Sequence, residues 1–257
     1  GDAAVNRCVL ITGATGAIGG ALALTYAASE TILILQGRDQ SRLAQLSLEC
    51  QAFGATVFIK TLDMKETDAL VEWTQEMCFK HAPDLVIVNA GMNTHVGTAG
   101  ELEPWREVEA LLDINLKAAI AMAHVLVPYM RAKGSGQIAF VSSLAAYFGL
   151  PVTPTYCASK AGLKAYGEAL RGLLLSEGIK INVIMPGYVA SKMCDAMPGP
   201  KPFLWSARRA AQTIKRGLER NKARISFPFP LSWGTWWLGV LPTSLSIHIV
   251  RWLGYGR

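Results

Sequence analysis

Short apolar runs alternate with longer amphipathic stretches along most of the chain. The apolar runs predict strands at residues 8–12, 31–36, 55–61, 85–89, 137–141, 179–185 and 224–227. The stretches between them have the spacing of amphipathic helices, which we expect to begin near Ala17, Ser41, Glu66, Trp105, Tyr156 and Ser206. Strands that alternate with helices pair in parallel, because each crossover helix carries the chain back to the same end of the sheet. The pattern therefore predicts an α/β fold of about seven strands, a doubly wound parallel sheet with helices on both faces.

The composition is typical of a folded domain rather than a disordered chain. The chain has 257 residues, of which 51% are hydrophobic and 17% charged, so we expect a single domain over residues 1–257. The five cysteines are widely spaced without a C-x-x-C pair and the four histidines are scattered, which argues against a disulfide framework and a metal site. The N-terminus shows no signal peptide pattern, so a reducing compartment, the cytoplasm, is expected.

Positive charge and tryptophan are concentrated near the C-terminus. The net charge is +6, but residues 201–257 contain ten Lys or Arg against one acid, Glu219, together with five of the seven tryptophans. Residues 228–257 are apolar but divided by prolines, and neither piece reaches the ~20 residues that span a bilayer. Two interpretations stay open. The segment covers a substrate pocket or contacts another subunit, or residues 227–257 bind a membrane surface, helped by the basic helix between Arg208 and Arg220.

A glycine-rich turn follows the first predicted strand. It reads Thr12-Gly13-Ala14-Thr15-Gly16-Ala17-Ile18-Gly19 and leads into a helix. Backbone N–H groups and the positive end of a helix can approach a dinucleotide pyrophosphate only where no Cβ intervenes, so the turn predicts a nucleotide site in a Rossmann-like sheet. The second strand ends at Gly37-Arg38-Asp39, where Arg38 favours the 2′-phosphate of NADP(H) over the ribose hydroxyl of NAD(H). Asp39 has a second interpretation as the cap of the next helix.

A second candidate site lies at the start of the helix after the fifth strand. Tyr156 and Lys160 are four residues apart, so both side chains lie on one face of that helix. The Lys160 ammonium, together with an oxidised nicotinamide, is expected to lower the pKa of the Tyr156 phenol towards the range useful for proton transfer. The spacing alone is weak evidence, because many helices contain it by chance.

Together the motifs resemble the short-chain dehydrogenase/reductase family over roughly residues 7–228. The matched positions are the glycine turn, Asp63 with Met64, the run Asn89-Ala90-Gly91, Asn115, Ser143, Tyr156, Lys160, and Pro186-Gly187 with Val189 and Ser191. The resemblance implies that Asp63 contacts the adenine and that Val189 and Ser191 contact the nicotinamide carboxamide. Two positions depart from the common pattern of the family, since Ala17 replaces a glycine and Ser191 replaces a threonine.

The resemblance implies an NADP(H)-dependent oxidoreductase that interconverts a carbonyl and an alcohol. In this family Tyr156 would be the general acid or base, Ser143 would hydrogen-bond the substrate oxygen, and Lys160 would also hold the nicotinamide ribose. Asn115 would position a water beside that lysine. A homodimer or homotetramer is usual for the family. The apolar C-terminal segment predicts an apolar substrate such as a steroid, a retinoid, a long-chain alcohol or a lipid ketone.

Two other classes of function are compatible with parts of the pattern. A nucleotide-binding regulatory protein could share the fold without turnover, but Asn115, Ser143, Tyr156 and Lys160 are all present. Nucleic-acid binding through the basic C-terminal part is supported by no recognised motif and no regular aromatic spacing. The sequence therefore favours an enzyme that binds a small apolar substrate and leaves the identity of that substrate open.

Overall fold

Seven strands form one parallel sheet in the computed structural model, which describes residues 7–256. Residues 1–6 and 257, which the single-domain expectation includes, lie outside the described residues. The strands are β1 (Arg7–Ile11), β2 (Thr31–Gly37), β3 (Thr56–Thr61), β4 (Leu85–Val88), β5 (Gly136–Val141), β6 (Ile179–Pro186) and β7 (Arg224–Phe227). Their order is β3-β2-β1-β4-β5-β6-β7 and every neighbouring pair is parallel. The predicted doubly wound α/β sheet is confirmed.

Helices cover both faces of the sheet. They are α1 (Ala17–Tyr26), α2 (Gln40–Ala52), α3 (Thr67–His81), α4 (Trp105–Leu112), α5 (Ala118–Lys133), α6 (Pro154–Leu174), α7 (Lys192–Ala196), α8 (Ala207–Glu219), α9 (Leu231–Val240) and α10 (Thr243–Val250). Every predicted helix is present and begins within two residues of its expected start. The helix predicted at Tyr156 starts earlier, at Pro154, because proline fits the first helical turn, where its missing N–H has no helical partner.

Two apolar layers hold the helices on the sheet. One layer lies beneath α3, α5 and α6, and the other beneath α1, α2 and α8. Strand β1 shows why a single strand serves both layers, since Leu10 points into the first and Val9 and Ile11 point into the second. All three side chains are fully buried. A strand buried on both faces explains the nearly continuous apolar runs in the sequence.

The winding of the sheet reverses between β1 and β4. After β3 at one edge, the chain crosses to the opposite side of β1 and continues as β4. Ligands of doubly wound sheets bind in the crevice outside the carboxyl ends of the strands at such a reversal. The glycine turn after β1 and the run Asn89-Ala90-Gly91 after β4 both lie at this place.

The helical stretch Trp105–Lys133 joins α4 to α5 through a π-helical turn, Asp113–Lys117. By length and composition alone this stretch could cross a membrane. Its α5 part packs against the sheet through Met122, Leu126 and Met130, as a core helix does, so it is weak evidence for a membrane span. Turns of the π type often occur at functional sites, and this one contains Asn115.

The C-terminal segment contains two short helices that the sequence pattern did not predict. Helices α9 and α10 are followed by a π-helical turn, Arg251–Tyr255, and we call residues 231–255 the C-terminal hairpin. Helix α9 is apolar around its whole circumference and has no buried residue. It therefore lacks the alternation of apolar and polar positions that marks an amphipathic helix in a sequence.

Candidate active site

The glycine turn is shaped by close contacts that leave no room for a Cβ. Gly13 has φ +64°, and a Cβ there would lie 2.7 Å from the Ala90 Cα. A Cβ on Gly19 would collide with the Gly13 carbonyl oxygen, so Gly19 lets α1 start directly against the turn. Helix α1 begins at Ala17, and the first N–H groups of a helix have no intrahelical partner. The turn therefore presents backbone donors and a positive helix end, as a phosphate site requires.

Two buried polar side chains that were not among the predicted site residues hold the turn in place. The Gln36 side chain accepts a hydrogen bond from the Gly13 N–H (2.8 Å) and donates one to the Leu62 carbonyl (2.7 Å). The Thr12 hydroxyl accepts from the N–H groups of Asn89 (2.9 Å) and Ala90 (3.1 Å). Strands β1, β2 and β4 are thus joined at the turn. The sequence signal that could have identified Gln36 was a glutamine at the end of a strand that was predicted to be buried.

Arg38 lies at the rim of this site with its side chain exposed. Its neighbour Asp39 accepts a hydrogen bond from the Arg42 N–H (3.1 Å) and caps α2, which confirms the capping interpretation. Asp63 does not line the cavity described below. Its carboxylate accepts from the Lys65 N–H (2.9 Å), whereas the adjacent Met64 lines the cavity.

Tyr156, Ser143 and Lys160 meet where β5 and α6 approach each other. The Ser143 side chain lies close enough to the Tyr156 hydroxyl to lower the pKa of that phenol. The Lys160 ammonium lies 5.6 Å from the centre of the Tyr156 ring and donates to the Val141 carbonyl at the end of β5 (2.9 Å). The Ser142 hydroxyl donates to the Lys160 carbonyl (2.7 Å) and fixes the helix against the strand. The predicted serine, tyrosine and lysine are therefore brought together.

Burial has the largest effect on the pKa values of Tyr156 and Lys160. It raises the pKa of Tyr156 to about 12, although the nearby Ser143 side chain opposes the rise. Burial also lowers the pKa of Lys160 to about 8. The expectation that Lys160 lowers the phenol pKa is therefore wrong for the protein by itself, because loss of water around the phenolate outweighs other effects and the ammonium is directed at a carbonyl group.

Asn115 lies behind the cavity wall rather than on it. Its side chain accepts from the Met92 N–H (2.8 Å) and donates to the Met92 carbonyl (2.9 Å) and the Ser159 hydroxyl (3.2 Å). A Cβ placed on Gly91 would lie 3.4 Å from the Asn115 oxygen and 3.6 Å from the Lys160 ammonium. Asn115 therefore holds the segment after β4 in place, and Gly91 of this segment lies close to the Lys160 ammonium.

The loop after β6 closes the site from the other side. The Ser191 hydroxyl accepts from the Cys194 N–H (2.9 Å) and caps α7, and Val189 is buried beside it. Between Gly187 and Val189 the loop carries Tyr188, whose hydroxyl contacts that of Tyr255 at 2.6 Å. Tyr188 and Tyr255 thus fasten the end of the C-terminal hairpin to the loop, a contact that the sequence reading did not predict.

A cavity of about 1020 Å³ joins the glycine turn to Tyr156. Most of the predicted site residues line it: Gly13, Thr15, Gly16, Ala17, Ile18, Arg38, Met64, Asn89, Ala90, Gly91, Ser143, Tyr156, Lys160, Pro186, Gly187, Val189 and Ser191. Three predicted residues, Gly19, Asp63 and Asn115, do not line it. The region beyond Tyr156 is walled mainly by apolar side chains, which include Leu144, Phe148, Leu150, Met193, Met197, Leu231, Leu238, Val250 and Leu253.

The described residues also bear on metal and cysteine chemistry. Across residues 7–256, His, Cys, Asp and Glu form no group of three or more that could hold a metal ion. All five cysteines are free and buried, and burial raises the pKa of Cys157 next to Tyr156. The Cys157 sulfur accepts from the Leu150 N–H (3.3 Å), so its environment is that of a packing residue.

Comparison with known proteins places these features in a family. Residues 7–199 match the sequence profile of the family described as short chain dehydrogenase. An uncharacterised oxidoreductase from Myxococcus xanthus is 34% identical over 93% of this chain and 94% of its own length. The ketoacyl reductase HetN from Nostoc is 33% identical over 72% of this chain and 64% of its own length. A short-chain dehydrogenase from Sphingobium yanoikuyae in complex with NADPH has the same fold, with a TM-score of 0.80 and 21% identity over 98% of this chain and 96% of that protein.

Proposed function

This chain belongs to the short-chain dehydrogenase family of oxidoreductases, and we propose that it interconverts a carbonyl and an alcohol on an apolar substrate with NADP(H). Tyr156 is the proton-transferring residue in this proposal. The observation that carries it is the continuity of the cavity. One space of about 1020 Å³ is bounded at one end by the glycine turn and further along by Ser143, Tyr156 and Lys160. A nucleotide and a substrate can therefore meet beside the phenol.

The residues at the carboxyl edge of the sheet fit a nicotinamide dinucleotide. A Cβ on Gly13 would clash with Ala90, and a Cβ on Gly37 would clash with Thr15. The backbone is therefore closely packed here, and in the proposal the pyrophosphate lies over it. When bound, NADPH would supply the hydride that the substrate carbon gains on reduction, and NADP would accept the hydride that it loses on oxidation. In the proposal, the first turn of α1 binds the pyrophosphate, and Asn89 and Lys160 hold the half of the cofactor nearer to Tyr156.

The protein's own residues supply the proton and hold the substrate oxygen. Tyr156, neutral at neutral pH because its pKa is about 12, donates its proton to the oxygen of a carbonyl that is being reduced. Ser143, already within hydrogen-bonding reach of that phenol, donates to the same oxygen as negative charge develops on it. The Lys160 ammonium together with an oxidised nicotinamide would stabilise the phenolate that remains after the proton has left. In the oxidative direction the same groups act in reverse.

Arg38 supports NADP(H) over NAD(H) as the cofactor. Its guanidinium is exposed at the cavity rim next to Gly37, at the end of β2, where a ribose 2′-phosphate would bind. The only acid in this stretch, Asp39, is already engaged as a helix cap. The stretch therefore offers an exposed cation for an anion, while its one carboxylate, which also borders the cavity, has one oxygen engaged in the cap.

The cavity walls support an apolar substrate. Beyond Tyr156 the space is bounded by aliphatic, thioether and aromatic groups, and α9 contributes Leu231 and Leu238. The hydroxyl of Thr235 on the same helix is hydrogen-bonded to the Leu231 carbonyl (2.9 Å), so it offers little polarity to the cavity. A steroid, a retinoid, a long-chain alcohol or a lipid ketone has this chemistry. Of the two interpretations of the C-terminal segment, its role as a wall of the pocket has direct support in these contacts.

Further properties of the enzyme are part of the same proposal. Exposed apolar side chains on α4 and α6, such as Trp105 and Leu173, provide a surface for a homodimer or homotetramer. The free and buried cysteines support a reducing compartment, the cytoplasm. The single domain over residues 1–257 also belongs to the proposal.

A substrate panel tests the proposed function against the alternative of a regulatory nucleotide-binding protein. Apolar ketones and alcohols are assayed with NADPH or NADP and, in parallel, with NADH or NAD. We expect turnover of at least one apolar pair, faster with the phosphorylated cofactor, and slower turnover of small hydrophilic carbonyl compounds. Nucleotide binding without turnover of any member of the panel would favour the regulatory protein and contradict the enzyme.

A further inference from the structure

The C-terminal hairpin has two apolar sides. One side faces the cavity through Leu231, Leu238 and Val250. The other side exposes the indoles of Trp233 (59% exposed), Trp236 (42%) and Trp237 (42%) on α9 and that of Trp252 (84%) in the closing turn. A thin apolar wall therefore separates the proposed substrate space from the outside of the molecule.

The three exposed indoles of α9 form one cluster. The ring centres of Trp233 and Trp237 are 6.2 Å apart, and those of Trp236 and Trp237 are 5.1 Å apart, in edge-to-face arrangements. Val240 extends the cluster on α9, and Leu245 and Ile247 are exposed on α10. A contiguous apolar patch of this kind on a protein surface marks a binding face rather than scattered exposure.

The charge of the C-terminal part of the chain indicates which partner this face suits. The chain has no Asp or Glu after Glu219, while residues 201–257 carry ten Lys or Arg. Tryptophan beside basic residues is the composition of segments that lie in the interface of anionic bilayers.

We propose that the C-terminal hairpin binds the surface of an anionic lipid bilayer, with the indoles of α9 at the level of the lipid headgroups. Helix α9 is then at once the membrane contact and a wall of the cavity, so an apolar molecule dissolved in the bilayer reaches Tyr156 without crossing water. This inference rests on the proposed function for the nature of the substrate, but the membrane contact itself is testable without turnover.

Vesicle flotation with the full chain tests the contact. The vesicles contain either equal parts of phosphatidylglycerol and phosphatidylcholine or phosphatidylcholine alone. We expect the chain to float with the anionic vesicles, with its tryptophan emission shifted to shorter wavelength, and to float less with phosphatidylcholine or in high salt. A chain that stays with the lipid-free fraction under all these conditions overturns the proposal.

A set of variants locates the contact on the hairpin. The triple variant Trp233→Ser, Trp236→Ser, Trp237→Ser should partition onto anionic vesicles roughly tenfold less, because three indoles no longer leave water. The matched control Phe53→Ser, Phe79→Ser removes two exposed aromatic rings elsewhere on the surface and should bind like the parent. Equal losses in the two variants would contradict the assignment of the contact to the hairpin.

Two further measurements distinguish loss of the lipid contact from misfolding and from a contact with a second copy. If the triple variant does not fold by circular dichroism, Trp252→Ser alone is used, since this side chain is 84% exposed and does not line the cavity. Turnover of a water-soluble ketone without lipid should be the same in the parent and in the tryptophan variants. Loss of flotation with this turnover retained assigns the face to lipid. A parent that forms a dimer which the triple variant cannot form, and that binds no vesicles, assigns it to a second copy and overturns the proposal.

Discussion

Burial sets the resting protonation of the two residues at the centre of the cavity. Tyr156 is neutral at neutral pH because its pKa is about 12, and Lys160, with a pKa of about 8, is mostly charged. A neutral phenol is ready to donate a proton in the direction of reduction. The buried ammonium, in contrast, is held at a cost in stability, as is common for groups whose task is chemistry.

Removing the Lys160 charge should make the protein more stable. Its pKa falls on folding from 10.5 to about 8, which corresponds to a penalty of about 3 kcal/mol at pH 7. The penalty is complete below pH 8 and disappears as the pH rises through 8 to 10.5, where the unfolded chain also loses the proton. Lys160→Met also forfeits the hydrogen bond to the Val141 carbonyl, so we expect a net gain of about 1–2 kcal/mol at pH 7 in denaturant unfolding, together with loss of turnover.

The pH dependence and a control make this prediction specific. The gain should shrink between pH 8 and pH 10.5, because the parent itself becomes more stable there. Lys80→Met removes an exposed lysine from α3 and should change the free energy of unfolding by less than about 0.5 kcal/mol. A Lys160→Met protein that is less stable than the parent at pH 7, or a gain that is the same at every pH, would show that the buried charge carries no penalty.

Arg38 should determine the choice of cofactor. A charge-assisted hydrogen bond to a phosphate contributes about 1.5–3 kcal/mol, so Arg38→Ala should raise the Kd of NADP(H) by roughly 10- to 100-fold. NAD(H) lacks that phosphate and serves as the matched ligand for the same variant, with an expected change of less than about threefold. Titration calorimetry measures both. An equal loss for the two cofactors is incompatible with Arg38 as the determinant.

Individual residues show which parts of the site a sequence can reveal. Tyr156 and Lys160 are close in sequence and on one helix face, and family motifs gave the rest of the proposed set. Gln36 was missed because its role depends on a turn 23 residues away in the chain. Its side chain accepts a hydrogen bond from the Gly13 N–H of that turn. For the protein by itself, the expected direction of the Tyr156 pKa was wrong, because desolvation depends on packing around the ring, which the sequence does not state.

At the scale of elements, a distant carboxylate secures the start of α6. The helix has no side-chain cap of its own, but Glu103 accepts hydrogen bonds from the Thr155 hydroxyl (2.8 Å) and the Thr155 N–H (3.3 Å). The other carboxylate oxygen accepts from the Thr94 hydroxyl. Glu103 therefore joins the loop before α4 to the helix turn that carries Tyr156, and a carboxylate at a helix N-terminus is stabilised by the helix dipole.

Loss of this link should destabilise the fold. Glu103→Ala removes a cap and a charged hydrogen-bond acceptor, so the free energy of unfolding should fall by about 2 kcal/mol. Glu103→Gln keeps an acceptor oxygen and should cost about half of that. Glu101→Ala in the same loop loses only a bond to the nearby Ala99 N–H and should cost less than about 1 kcal/mol. Urea unfolding ranks the three, and a loss for Glu101→Ala as large as for Glu103→Ala would refute the link.

The elements of the sheet were predictable and those of the C-terminal hairpin were not. Buried strands and amphipathic helices produce recognisable patterns of apolar positions in the sequence. All seven predicted strands and all six predicted helices are present. Helix α9 meets the cavity on one side and is exposed on the other, yet both sides are apolar, so its sequence carries no helical period. The tryptophans of the segment predicted a cover of the pocket, a subunit contact or a membrane contact, and the structure shows α9 as a wall of the cavity with exposed indoles on its outer side.

At the scale of the whole molecule, the fold brings together parts that lie far apart in the chain. The glycine turn follows β1, Tyr156 belongs to α6, and the far wall comes from the C-terminal hairpin, yet all three border one cavity. The winding reversal between β1 and β4 opens the crevice, and the Tyr188–Tyr255 contact fastens the hairpin across it. The account depends on this single space serving both nucleotide and substrate, with the Tyr156 hydroxyl between them.

Replacement of Tyr156 by phenylalanine tests that claim most directly. The ring stays and only the hydroxyl is lost, so NADPH should bind Tyr156→Phe with a Kd within about twofold of the parent, whereas kcat for an apolar ketone should fall by roughly 10²- to 10⁴-fold. Tyr166→Phe, on the same helix and away from the cavity, should retain the parent's kcat. Turnover by Tyr156→Phe at the rate of the parent would contradict the account.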